Sequence, residues 1–294
     1  MRIEKLFKKN LLSFINKAGF QVRRFSDPLQ LPLYESLFDS VILASKPFYN
    51  VGSGSFYHPL WTNIDYVSDW YSTIQKKIVH HDLMSETPLP IESNSAEIVY
   101  TSHTIEHIKE RAVLYFFRDT YRALKPGGIF RVTTGPDAET DFRAMLRGDK
   151  HWFYWDDAYT YSNGDNWKHI YHQLPNTVPI EERWLHHVAS ALAPNDKSPS
   201  LEKFDAVAIR KIVDEMGFEK SLDFFTSKCD FDPNRPGNHI SWWTHQKIFE
   251  FLQRAGFSNI YRSGYGQSVS PILRNTQLFD STHPQMSIYI ECIK

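Results

Sequence analysis

The chain has no apolar run of the roughly 18 residues a helix needs to cross a bilayer, and its N-terminus lacks the continuous apolar stretch and small-residue cleavage site of a signal peptide. Cysteine is nearly absent. Cys229 and Cys292 stand far apart and outside any metal-type spacing, which excludes a disulfide framework and favours a reducing compartment. Net charge is almost absent too, at -1, so no global basic field points to nucleic acid as a partner. The expectation is a cytoplasmic protein. What is present is an ordinary globular mixture, 41% hydrophobic and 23% charged over 294 residues, enough for one large domain or one domain carrying an insertion.

The first 24 residues are basic (Arg2, Lys5, Lys8, Lys9, Lys17, Arg23 and Arg24 against Glu4), and Leu6, Phe7, Leu11, Phe14 and Ile15 recur at helical spacing up to Gly19. Such a helix either lies peripherally on an anionic membrane surface or packs on the domain with its lysines solvated. From Lys46 onward strands and helices alternate. Strand-like runs are Pro47–Val51, Trp61–Asp65, Lys77–His81, Ala96–Tyr100 and Ile129–Thr133. A helix is expected over Arg111–Leu124, with Leu114, Phe117, Tyr121 and Leu124 as its apolar stripe and Lys125-Pro126-Gly127-Gly128 as its terminator.

The alternation stops for about a hundred residues, then resumes with a helix at Thr244–Ala255 and strands at Asn259–Arg262 and Ser287–Cys292. The interruption contains seven aromatics between His151 and Trp167 and a helix over Asp205–Met216. Those aromatics suit either sugar stacking or the small core that a helical insertion needs. Three segments read Ala18-Gly19-Phe20, Met216-Gly217-Phe218 and Ala255-Gly256-Phe257. They suggest repeated helix capping by a left-handed glycine rather than a sequence repeat.

The chemistry-bearing motifs sit at the strand ends. Asn50-Val51-Gly52-Ser53-Gly54 lets backbone approach a ligand closely. It is not a full dinucleotide fingerprint, because Tyr57 occupies the third glycine's place. Asp65, at the end of the second strand, can accept two hydrogen bonds from ribose hydroxyls. Asp82 suits the exocyclic amine of an adenine, with Leu83 against the ring; alternatively Asp82 caps a turn.

Together with Ser102-His103-Thr104-Ile105-Glu106-His107 and Leu124-Lys125-Pro126-Gly127-Gly128, these motifs resemble class I S-adenosylmethionine-dependent methyltransferases. The resemblance is strongest to the predicted methyltransferases of bacterial polysaccharide gene clusters. It covers residues 46–137 and resumes over 239–294. It implies a doubly wound α/β fold with a mostly parallel seven-stranded Rossmann-like sheet. The organisation would be a basic helix over 1–27, a cofactor-binding core over 28–139 and 239–294, and a largely helical insertion, or substrate lid, over 140–238. It also implies S-adenosylmethionine as cofactor. Gly52, Ser53 and Gly54 would pass under the methionine portion, Asp65 would hold the ribose, Asp82 and Leu83 the adenine, and Ser102 and His103 the floor near the sulfonium. Ser53 stands where cysteine or alanine is commoner.

The function expected is O-methylation of a small molecule or glycan. Base candidates are His103 and Asp137, both beyond strand ends, with His172 and His239 behind them. Two other functions compete. His103-Thr-Ile-Glu106-His107 reads as H-x-x-E-H, a pattern used by metal-dependent hydrolases, although no third ligand is placed by the sequence and no metal is expected. A non-catalytic module of the same fold in a glycan assembly complex is the other.

Overall fold

A computed structural model describes residues 28–67, 78–153, 167–200 and 202–294. The basic N-terminal helix, Gly19, and the aromatics from Tyr154 to Tyr161 lie outside the described residues. Among the described residues no helix is long and apolar enough to cross a membrane.

Seven strands form one sheet: β1 (Phe48–Val51), β2 (Trp61–Asp65), β3 (Ile78–His80), β4 (Ala96–Ser102), β5 (Leu124–Thr134), β6 (Asn259–Arg262) and β7 (Ile288–Ile293). Their order is β3-β2-β1-β4-β5-β7-β6. β1 to β5 pair in parallel, and β7 runs antiparallel between β5 and β6. This is the mostly parallel, Rossmann-like methyltransferase sheet expected from the motif order. β4 is buried along nearly its whole length, the pattern of a strand covered on both faces.

One face carries α3 (Glu110–Ala123) and α9 (His245–Ala255), whose apolar sides meet Val99, Phe130, Val132 and Ile290. The other face is covered by α1 (Leu31–Leu37) and the loop before β7, which pack Tyr34, Leu273 and Phe279 on Phe48, Trp61 and Tyr100. The short helix α2 (Ser40–Ala44) follows α1. The remaining helices α4 (Ala138–Arg147), α5 (Trp167–Ile170), α6 (Ile180–Val188), α7 (Ala206–Met216) and α8 (Phe218–Ser227) lie between β5 and α9. They enclose a second apolar core around Phe153, Trp184, Leu185 and Phe225. Phe153, at the start of the aromatic run, is thus a core residue of the inserted segment.

Three local expectations need correction. Lys125-Pro126-Gly127-Gly128 does not lie beyond the helix as a turn: α3 ends at Ala123 and the four residues open β5. An irregularity in the β4–β5 register between Ala96 and Ile98 accommodates them, and Gly127 N–H donates to the Lys294 carbonyl. The buried stripe of α3 centres on Val113, Phe116, Phe117 and Thr120, with Leu114 and Tyr121 only partly buried at its edges, because the helix is wedged between sheet and α9. Gly256 caps α9 in the left-handed region as expected, and Phe257 packs against Tyr121. Gly217 does not: its ψ of -168° turns the chain directly from α7 into α8.

A buried arginine ties the sheet to the loop before β7. Arg131, fully buried in β5, donates from Nε to Asp280 Oδ1 (3.0 Å) and from Nη1 to Glu291 Oε2 (3.0 Å). It also donates to the backbone carbonyls of Gly264 and Gln267. Asp280 in turn receives the Gly266 amide. Removing the cation leaves two carboxylates buried without their charge partner. Arg131→Met should therefore lose about 3–5 kcal/mol of unfolding free energy. Urea titration measures this, and a midpoint within error of wild type would refute it.

Candidate cofactor cavity

The strand order reverses between β1 and β4, and the connections leave the sheet there in opposite directions, which opens a crevice at the carboxyl ends of the strands. A cavity of about 610 Å³ lies there. Gly52, Ser53, Gly54, Asp65, Asp82, Leu83, Ser102 and His103, every residue assigned to the cofactor from sequence, line it.

The chain turns out of β1 through Gly52, whose φ is +70° and whose N–H donates to the Ile64 carbonyl (2.9 Å). A Cβ at Gly52 would come within 2.0 Å of Thr104 Oγ1, so the loop after β1 and the turn after β4 touch with no room for a side chain. Gly54 also has positive φ, +51°, but a Cβ there would meet nothing within 4 Å. Its N–H instead donates to Asp65 Oδ2 (2.7 Å), while Tyr66 N–H donates to Asp65 Oδ1 (2.7 Å).

Each Asp65 oxygen thus holds one backbone donor and keeps a further lone pair. Burial pushes the Asp65 carboxyl above its ordinary value, and the hydrogen bonds from Gly54, Tyr66 and Ser53 only partly offset that. Its anion is under-compensated, and hydroxyl donors from a ligand would supply what is missing. Asn50, at the end of β1, adds a buried Oδ1 with no hydrogen-bond partner on the same cavity.

Asp82 caps a turn and also lines the cavity. Its Oδ1 accepts the Met84 N–H (2.8 Å) and so caps the turn Leu83–Ser85, which presents Leu83 at the cavity. Ser102 Oγ accepts from Thr133 Oγ1 (2.9 Å), fixing the floor to β5.

His103 has φ of +49°, a conformation disfavoured for a residue with a side chain. Its Nε2 lies 2.8 Å from Ser287 Oγ and its Nδ1 3.0 Å from Glu106 Oε1. Both ring nitrogens are engaged. Glu106 Oε2 accepts from Thr134 Oγ1 (2.7 Å). Burial alone would raise the Glu106 carboxyl, yet the neighbouring imidazoles of His103, His107 and His239 hold it at about 2.

Asp137 is not brought to the cavity. It caps α4, accepting the Glu139 N–H (3.2 Å), and faces His245 at 3.6 Å. Its position beyond β5 places it at the root of the inserted segment, where a helix start claims the carboxylate. His172 likewise lies in the inserted segment, away from the cavity. The H-x-x-E-H residues do not converge as three ligands, since His103 is turned to Ser287; the second nitrogen beside Glu106 and His107 belongs to His239.

Several lining residues were given no ligand role from the sequence: Asn50 and Thr104 near the strand tips, Phe231 and Pro236 from the inserted segment, and Gln277 and Thr282 from the loop before β7. Motif spacing could have suggested Asn50 and Thr104, which flank the glycine loop and Ser102-His103. The others arrive through long-range packing.

A family model described as "Methyltransferase domain" matches residues 52–132. No protein of curated function matches the chain. Similar solved structures include an S-adenosylmethionine-dependent methyltransferase from Mesorhizobium loti, with 13% identity, 92% of this chain and 99% of that chain covered, and a TM-score of 0.39. Another is a possible histamine N-methyltransferase from Thermotoga maritima, with 13% identity, 90% and 96% covered, and a TM-score of 0.38. An Archaeoglobus fulgidus methyltransferase shows 10% identity, 90% and 100% covered, and a TM-score of 0.37. The matched residues are similar to a methyltransferase domain, and the cofactor expected from the motif order is S-adenosylmethionine. The residues present fit it: a doubly held carboxylate with spare lone pairs, an orphaned acceptor at Asn50, and an open glycine backbone share one cavity.

The two glycines should respond differently to a methyl group. Gly54→Ala meets open space and should cost about 1–2 kcal/mol for its left-handed backbone alone. Gly52→Ala carries that same cost plus the collision with Thr104, roughly 1–3 kcal/mol more. Paired urea denaturation of the two variants reads the difference, and equal losses would contradict the tight contact.

Proposed function

We propose that this chain is an O-methyltransferase whose acceptor is a small molecule or a glycan. The observation that carries the reading is the convergence of Asp65, Asp82, Leu83 and the Gly52–Gly54 backbone on a cavity whose wall also carries polar and aromatic side chains. Gln277, Ser281 and Thr282 offer hydrogen-bonding groups suited to a hydroxylated ligand, and Phe231 adds an apolar face.

When bound, S-adenosylmethionine supplies a methyl group already activated by the sulfonium. Asp65 would accept the ribose hydroxyls, Asp82 the adenine amine, and Asn50 Oδ1 a donor from the amino-acid end. Phe231 and Pro236 help exclude water from the cavity. Aligning an acceptor oxygen with the methyl accounts for most of the catalytic effect this chain must produce. Loss of the acceptor proton needs a base nearby. His103 borders the cavity, and a base role for it requires its contact with Ser287 or Glu106 to open. Kinship with polysaccharide-cluster enzymes and a peripheral station on the inner membrane face through residues 1–24 belong to the same proposal. Its support is the motif order and the basic composition of that segment.

Titration calorimetry with S-adenosylhomocysteine tests the cofactor arm. Wild-type protein should bind, and Asp65→Ala should bind about ten to a hundred times more weakly, the range expected for hydrogen bonds to a charged group worth about 1.5–3 kcal/mol. Absence of binding by the wild type, or an unchanged affinity in the variant, overturns the reading. Methyl transfer from labelled donor to a panel of hydroxylated sugars tests the acceptor arm.

A further inference from the structure

The turn after β4 and the segment returning from the inserted core meet at three side chains that the methyl-donor site does not use. Glu106, His107 and His239 each place one ligand atom so that all lie within 4.8 Å of one another. We propose that these residues bind one divalent transition-metal ion beside the cofactor cavity.

The two imidazoles are held in the form a metal requires. His107 Nδ1 lies 3.2 Å from the Asn238 carbonyl and His239 Nδ1 2.6 Å from the His187 carbonyl. A carbonyl only accepts, so each Nδ1 carries the hydrogen and each Nε2 keeps its lone pair. This hydrogen bond from the far nitrogen is the usual support of a metal-binding histidine. The two rings, with centroids 4.9 Å apart at 60°, make an edge contact.

The carboxylate is held as firmly. Thr134 Oγ1 donates to Glu106 Oε2 (2.7 Å), and His103 Nδ1 lies 3.0 Å from Oε1, while the residue is only 2% exposed. Oε1 makes no well-directed hydrogen bond.

Backbone contacts then fix His239 to this turn across 132 intervening residues. Ile240 N–H donates to the Glu106 carbonyl (2.9 Å), Ser241 Oγ to the Ile105 carbonyl (2.9 Å), and His239 N–H to Ser190 Oγ (3.0 Å).

Two nitrogens and one carboxylate suit zinc, cobalt or nickel better than magnesium or calcium, which favour all-oxygen shells. In a tetrahedral shell with bonds near 2.1 Å, ligand atoms sit about 3.4 Å apart, a modest closing of the present cluster. Three protein ligands leave a position open. His107 also lines the cavity, so the site borders it. There the ion would hold an oxygen of the acceptor. This last role rests on the methyl-transfer reading; the metal site does not.

The test loads chelator-treated full-length protein with zinc, dialyses it, and counts metal by mass spectrometry, with cobalt as a spectroscopic probe. Wild-type protein should retain one ion per chain and show the visible bands of low-coordinate cobalt. Glu106→Gln and His239→Gln, both near in size to the native side chains, should lose it. Thr134→Val, which removes a support of Glu106, should bind zinc about 10–100 times more weakly.

Calorimetry with S-adenosylhomocysteine on the same samples separates the two readings. S-adenosylhomocysteine binding retained in metal-depleted variants verifies their folding and leaves the metal as the only thing lost. A wild type that binds S-adenosylhomocysteine but retains no zinc overturns the metal site alone, as does equal zinc retention in Glu106→Gln and His239→Gln. A wild type that retains zinc but binds no S-adenosylhomocysteine overturns the methyl-transfer reading and leaves the metal site standing.

Discussion

Everything at the carboxyl end of the sheet depends on one contact, the approach of the Gly52 backbone to the Thr104 side chain. β1 and β4 are parallel neighbours in register, Val51 opposite Thr101, so the residues that follow each strand emerge side by side. The connections then diverge, one toward β2 and one toward α3, and the gap between them becomes the cavity. Only a glycine lets the two exits touch, and the touch fixes where Gly54 N–H can find Asp65. The carboxylate is therefore placed by two backbone donors, one on each oxygen, which is why a short β1–β2 connection still serves.

The parts of this arrangement legible in the sequence are those encoded within a few residues. Strand tips carrying Gly52, Asp65, Asp82 and Ser102 follow from apolar runs and the residues that end them, and all of these reach one cavity. Lys125-Pro126-Gly127-Gly128 misled because its composition is that of a turn, while its long-range hydrogen bonds are to Lys294, just past β7 and more than 160 residues later in the chain. Asp137 misled for a local reason: a carboxylate just before α4 is the best available cap for that helix, and capping takes it out of the crevice. Arg131 gave no warning at all, since a strand pattern does not show that the loop at Gly264 and Asp280 will fold over its guanidinium.

Two buried charge groups hold the walls of the cavity, and they differ in kind. On one face Arg131 is matched by Asp280 and Glu291 and by backbone carbonyls, a closed set with a fixed cation, and it secures the loop that brings Gln277 and Thr282 to the cavity. Such a network stabilises by completeness, and losing any member leaves an uncompensated charge.

On the other face Glu106 is buried, and among the described residues no lysine or arginine pairs with it. Its partners are a threonine hydroxyl and imidazoles, and two of those imidazoles turn their hydrogens away to backbone carbonyls. A fold that needed only a strut between the β4 turn and the inserted core could supply an apolar contact, as Trp243 does nearby. Anchoring an anion there with lone pairs directed inward costs desolvation that the strut does not require. The arrangement makes physical sense as a place where positive charge arrives from outside the chain, next to the cavity proposed for methyl transfer.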